Sequence, residues 1–132
     1  MDWAALITWV LTAGGGFVLL VLWLKHGGMA QRERGRIRPM ILLTHFALAA
    51  TGLVLWIVYL ASDSSGLAWA AFGLLLVVAL IGFAMLGIWL AQRRTREVTA
   101  EQRFPVAIVG LHGLLAATTL VLVFLAAAGI GS

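Results

Sequence analysis

Cysteine is absent from the sequence. That excludes disulfides, thiolate-held iron–sulfur clusters, cysteine nucleophiles and a covalently attached c-type haem. Charge is scarce as well: five acidic and nine basic residues make up 11% of the chain, against 63% apolar. Proline occurs only twice, at Pro39 and Pro105. Neither a glycine-rich phosphate loop running into Lys-Ser/Thr, nor a nucleophile–base–orienter set, nor a pair of acids inside an apolar stretch can be found. Hydrolase and transferase chemistry therefore lacks its parts.

What is present is long and greasy. Residues 3–24, 39–61, 67–91 and 105–130 contain no Asp, Glu, Lys or Arg. At about 1.5 Å per helical residue even the shortest covers roughly 33 Å, enough for a hydrocarbon core of about 30 Å. Four transmembrane helices in one all-α domain over residues 1–132 are expected. The first stretch lacks a basic leader, carries Asp2, and exceeds the usual apolar core of a signal peptide, so it is expected to stay in the mature protein.

All nine basic residues fall between stretches one and two (Lys25, Arg32, Arg34, Arg36, Arg38) or three and four (Arg93, Arg94, Arg96, Arg103). The positive-inside rule then puts both basic loops in the cytoplasm and both termini outside, in a plasma or inner membrane. The basic loops fit contact with anionic lipid headgroups, and no soluble domain is left to read nucleic acid. Glu97 and Glu101, four apart among arginines, read as charge partners of their neighbours.

The sequence also repeats itself. Sliding it by 66 residues aligns Trp3 with Trp69, "GFVLLVLWL" at 16–24 with "GFAMLGIWL" at 82–90, and Pro39 with Pro105. A shift of 67 then aligns His45-x-x-Leu48-Ala49-Ala50-Thr51 with His112-x-x-Leu115-Ala116-Ala117-Thr118. Leucine, alanine and valine matches cost little in membrane helices. Tryptophan, proline and histidine matches at a near-constant offset are harder to obtain by chance. The chain reads as two tandem transmembrane hairpins, 1–66 and 67–132, forming a four-helix bundle with a parallel pseudo-two-fold axis. On the first helix of each hairpin, Ala13, Gly16, Phe17, Leu20, Trp23 and Leu24 recur as Ala79, Gly82, Phe83, Leu86, Trp89 and Leu90. Their spacing puts them on one face. That face serves either close helix packing or a shared site, and the two tryptophans could equally be interfacial anchors.

An ionisable side chain inside a bilayer points by default to a functional site facing the bundle interior. His45 and His112 sit six and seven residues past the two prolines, roughly 10 Å inside the basic-loop boundary at about 1.5 Å per residue. Related by the pseudo-two-fold, they can meet across the bundle and hold one metal between helices two and four. Beside them stand the small residues Ala49 and Gly52, and Gly113, Ala116 and Thr119. Arg38 and Arg103 lie just outside the same helices. His26, at the end of the first stretch with Gln92 as its counterpart, reads as a solvated loop residue.

This arrangement resembles four-helix, b-type membrane cytochromes, in the manner of cytochrome b561-like proteins and the four-helix halves of haem A synthase. The resemblance implies one non-covalent, bis-histidine haem b per chain, with His45 and His112 as iron ligands. It implies further that Ala49, Gly52, Ala116 and Thr119 flank the macrocycle and that Arg38 and Arg103 face its propionates. The function it implies is membrane electron transfer with a quinone or redox-protein partner, alone, as a homo-oligomer or within a larger complex. It is less that of a stand-alone enzyme. Families of this type often carry two haem sites, and only one histidine pair exists here. The competing reading is a non-redox structural or assembly subunit whose histidines make interhelical hydrogen bonds. A transporter would show intramembrane carboxylates or broken helices. A zinc or copper site would need Met40, Met85 or water to complete its shell.

Overall fold

The computed structural model describes residues 1–30, 37–96 and 98–131. Arg32, Arg34, Arg36 and Glu97, used above for charge, lie outside the described residues. Four helices carry the fold: α1 (Asp2–Lys25), α2 (Pro39–Ser62), α3 (Ser65–Gln92) and α4 (Val106–Ala127). Each is long and apolar enough to cross a membrane. Their bounds follow local chemistry. Asp2 and Lys25 put charge of the favourable sign at either end of α1. Pro39 opens α2 behind an extended Arg38, and Pro105 is the extended residue before α4. Helix α4 ends at Ala127, three residues short of the apolar stretch that predicts it. Gly129 turns to φ +72°, and the Ile130 amide reaches back to the Leu125 carbonyl at 2.8 Å, closing a Schellman-type cap.

The helices form a four-membered ring in which α1 packs most extensively on α4 and α2 on α3, with smaller contacts for α3–α4 and α1–α2. Helices α2 and α4 therefore stand on a diagonal. The sequence repeats the hairpin, yet the closest packing runs between repeats. The outward faces stay apolar: Trp3, Leu80 and Leu114 are about two-thirds exposed, as a lipid-facing surface requires. Thr8, Thr12, Thr51, Thr118 and Thr119 donate their hydroxyl hydrogens to the carbonyls four residues back, which satisfies these five donors within the apolar layer.

The two ends of the bundle differ. At the end holding the termini, Trp9 and Trp56 pack among Ala5, Ala68, Ala71, Leu75, Val123 and Ala126. Tyr59 stacks on Trp56 and donates its hydroxyl to the Asp2 carboxylate at 3.2 Å, while the Trp56 indole donates to the Asp2 carbonyl. At the basic end, Gly28 lies beneath the fully buried Trp23, and a Cβ there would overlap the indole ring. Gly28→Ala should therefore push Trp23 off its seat. The expected loss is roughly 1–3 kcal/mol, the usual cost of overpacking, read as a lower thermal midpoint in detergent. An unchanged midpoint would mean the turn Gly28–Ala30 yields freely.

Candidate cofactor site

Between the packed end and the basic loops the four helices enclose a cavity of about 570 Å³. That lies within the range of roughly 300–1,000 Å³ usual for small-molecule and cofactor sites. His45 and His112 line it from the two diagonal helices, with ring centroids 6.4 Å apart and planes at 74°. The histidines of the two repeats thus sit at one depth and meet in the interior.

Each imidazole is held by a neighbouring helix from the other repeat. His112 Nδ1–H donates to the Thr12 carbonyl of α1 at 2.8 Å, and His45 Nδ1–H donates to the Val78 carbonyl of α3 at 3.0 Å. The two bonds are equivalent under the repeat, since Thr12 and Val78 are 66 apart and the histidines 67. A carbonyl can only accept, so both rings carry their hydrogen on Nδ1. The lone pair is left on Nε2, the state in which a neutral imidazole binds a metal.

Gly16 and Gly82, one turn after those carbonyls, explain how the rings come so close to the helices. A Cβ built on Gly16 would stand 2.9 Å from His112 Cε1, and one on Gly82 would stand 2.9 Å from His45 Cε1. The shared face of the first helices is thus a seat for the histidines as well as a packing stripe.

Other residues fall as follows. Ala49, Ala116, Thr119 and Gly113 line the cavity, with Phe17, Phe83 and Trp89. Gly52 does not: it is buried against Trp9, whose ring lies 3.0 Å from where its Cβ would be. Two turns beyond His45, Gly52 has already passed into the packed end. Arg38 and Arg103 are exposed and off the wall, although their chain neighbours Ile37 and Phe104 line it. Met40 is also exposed, so of the two methionines only Met85 reaches the cavity. His26 is exposed and donates Nδ1–H to the Leu22 carbonyl, as expected of a loop residue. Among the described residues no cluster of three or more His, Asp or Glu could complete a metal shell by itself.

Glu101 departs most from expectation. It is a fully buried side chain, not an exposed partner of arginines. Its Oε1 accepts from the Trp23 indole at 3.1 Å, and its backbone carbonyl accepts from the Trp89 indole at 2.8 Å. The two repeat-matched tryptophans are therefore internal donors, not interfacial anchors. Only the pairing of Trp23 with Trp89 hinted at this, because the offset of 66 leads from Glu101 to Gly35 and no matching acid.

No protein-family description, curated protein or solved structure matches the chain. The class therefore rests on fold and site together: a four-helix, membrane-type bundle with a histidine pair oriented around an apolar interior cavity.

Proposed function

We propose that the protein is a membrane electron-transfer cytochrome that holds one haem b between His45 and His112. The observation that carries the reading is the histidine pair itself. Two metal–imidazole bonds of about 2.0–2.1 Å set end to end bring the ring centroids to roughly 6.3 Å, and the rings stand 6.4 Å apart. Both Nδ1 atoms are committed to backbone carbonyls, the usual outer partner of a ligating histidine. Among the described residues no Asp, Glu or further His joins the pair, and only the Met85 thioether reaches the cavity, so the remaining positions around a metal suit a macrocycle better than a bare zinc or copper ion.

Haem b would supply a one-electron couple whose potential the axial ligands and burial set. The chain's own residues do the rest. His45 and His112 would hold the group from the two diagonal helices, and a two-histidine set of this kind would favour electron transfer over oxidation chemistry. The Thr12 and Val78 carbonyls fix the tautomers and raise ligand basicity. Ala49, Gly113 and Ala116 would leave a flat ring room, Phe17, Phe83 and Trp89 would give it an apolar wall, and Arg38 and Arg103, next in the chain to the wall residues Ile37 and Phe104, would suit the propionates. Sidedness follows from charge: basic loops in the cytoplasm, termini outside. The partners proposed are membrane lipid and a quinone or redox protein.

The hydrogen bonds from His45 and His112 to neighbouring helices favour a second reading, a structural or assembly subunit in which those bonds are the histidines' whole role. The two separate in one experiment. Full-length protein expressed with ample haem is purified in detergent, and its oxidised and dithionite-reduced spectra are compared with those of His45→Ala and His112→Ala. A sharp reduced α-band in wild type, lost or displaced in each variant, is expected. A colourless, folded wild type would sink the cytochrome and leave the subunit reading.

A further inference from the structure

We infer that the seam between α1 and α2 is a doorway through which the cavity takes in its haem sideways, from the lipid phase. The inference rests on the haem reading.

The four seams of the ring are unequal. Helix α1 packs closely on α4 and α2 on α3; α3 meets α4 less closely, and α1 meets α2 least of all. On α1, Val10, Ala13, Gly14 and Phe17 share one side of the helix. The opposite side is the one turned to α4, where Thr12 meets Thr119 and Gly15 meets His112. On α2, Phe46 and Ala50 likewise lie off the flank that meets α3 through His45 and Gly52. All six residues line the cavity and all six are exposed, Val10 and Phe17 by about half. A Cβ built on Gly14 would meet nothing within 4 Å. The cavity therefore reaches the outer surface of the bundle along this seam.

The repeat supplies an internal comparison, because the α3–α4 seam is the second copy of the same hairpin. Of the cavity-lining residues on α3 and α4, only Phe83 is exposed. Leu76 and Leu80, which match Val10 and Gly14, do not reach the cavity. Phe46 matches Gly113. A phenyl group needs room between helices that a glycine does not, which accounts for part of the difference.

The other ways in are obstructed among the described residues. Trp9 and Trp56 fill the terminus-bearing end. At the basic end the buried Ile37 and Trp89 close the wall, and Trp89 is pinned by its bond to the Glu101 carbonyl. Moving that indole breaks a buried hydrogen bond, whereas Phe17 and Phe46 make none and can swing between rotamers. The lining of the seam also selects what passes. Its six residues offer neither charge nor side-chain donor, so a quinone carbonyl or a soluble anion gains no hold there. A flat apolar macrocycle dissolved in the hydrocarbon layer loses nothing by entering.

The test uses the absence of cysteine, which lets one placed in the seam be labelled alone. Full-length, haem-free Ala50→Cys and, separately, Ala13→Cys are reacted in liposomes with pyrene maleimide, a bulky membrane-soluble reagent. Leu114→Cys, exposed on α4 and away from the cavity, takes the same label as a control. Haemin is supplied from phosphatidylcholine vesicles, with uptake followed at the Soret band and release by transfer to apomyoglobin. A label in the seam should slow uptake and release by one common factor of about tenfold or more, leaving their ratio unchanged. The label on Leu114→Cys should change neither rate. Unslowed uptake in both labelled seam variants would place the entrance elsewhere and overturn the assignment. Slowed uptake with unslowed release would overturn it too, since that marks a damaged site instead of a blocked door. Wild type that takes up no haem fails before any label is added, and there the haem reading falls and takes the doorway with it.

Discussion

On the haem reading, Gly82→Ala should yield a protein that folds as well as the wild type and binds haem at least tenfold more weakly. The added methyl would stand 2.9 Å from His45 Cε1, closer than two carbons can sit. The imidazole is the movable end of that contact, so it swings away. It then loses its 3.0 Å bond to the Val78 carbonyl and its alignment in the cavity. A tenfold loss corresponds to about 1.4 kcal/mol, less than one misplaced axial ligand should cost. Stability should change little, because the roughly 0.5–1 kcal/mol by which alanine is favoured over glycine in a helix interior is about what the lost hydrogen bond costs. Gly16→Ala should do the same through His112. Haem titration followed at the reduced α-band, beside thermal unfolding of the haem-free protein, separates the two effects. Wild-type haem affinity in both variants would mean the rings do not need the seats that Gly16 and Gly82 provide.

Trp56→Ala is the second large effect, and it belongs to folding. Trp56 is fully buried against Trp9 and Tyr59, and its indole donates to the Asp2 carbonyl. Truncation leaves a cavity in the packed end, with an expected loss of about 3–5 kcal/mol. Its repeat counterpart is Val123, equally buried but much smaller. Val123→Ala should cost only about 1 kcal/mol, the scale of a buried methylene or two. Thermal or denaturant unfolding in detergent reads the difference, and equal losses would show that the packed end tolerates a void as readily as a trimmed methyl.

Much of this architecture is legible in the residues. Uncharged length alone locates four helices, and the bounds hold closely except where the Gly129 cap ends α4 early. The repeat register implies that His45 and His112 share a depth, and the ring contact lies where that symmetry places it. Neighbour choice is less visible. A hairpin repeat does not say whether α1 leans on α2 or on α4, because that depends on which small residues face which large ones. Gly52 shows the difficulty: spacing puts it on the face of His45, yet the breadth of Trp9 claims it for packing. Glu101 was opaque for another reason. A carboxylate among arginines in a short loop looks solvated until the fold brings two indoles down on it.

The filling of the terminus-bearing end has an electrical consequence. Trp9, Trp56 and Tyr59 take up the interior on that side, so the cavity runs from Trp9 toward Ile37 and Phe104 beside the basic loops. The histidines lie roughly 10 Å in along α2 and α4, but the carbonyls that hold them, Thr12 and Val78, stand near the middle of α1 and α3, so an electron reaching the site from the basic side crosses about a third to a half of a layer of about 30 Å. Moving one charge across the full layer is worth about 2.3 kcal/mol per 100 mV, so this site feels roughly 0.8–1.2 kcal/mol of it. On the proposed reading the protein is an electron store whose occupancy follows membrane voltage weakly, and a voltage generator only in the company of a second carrier on the far side.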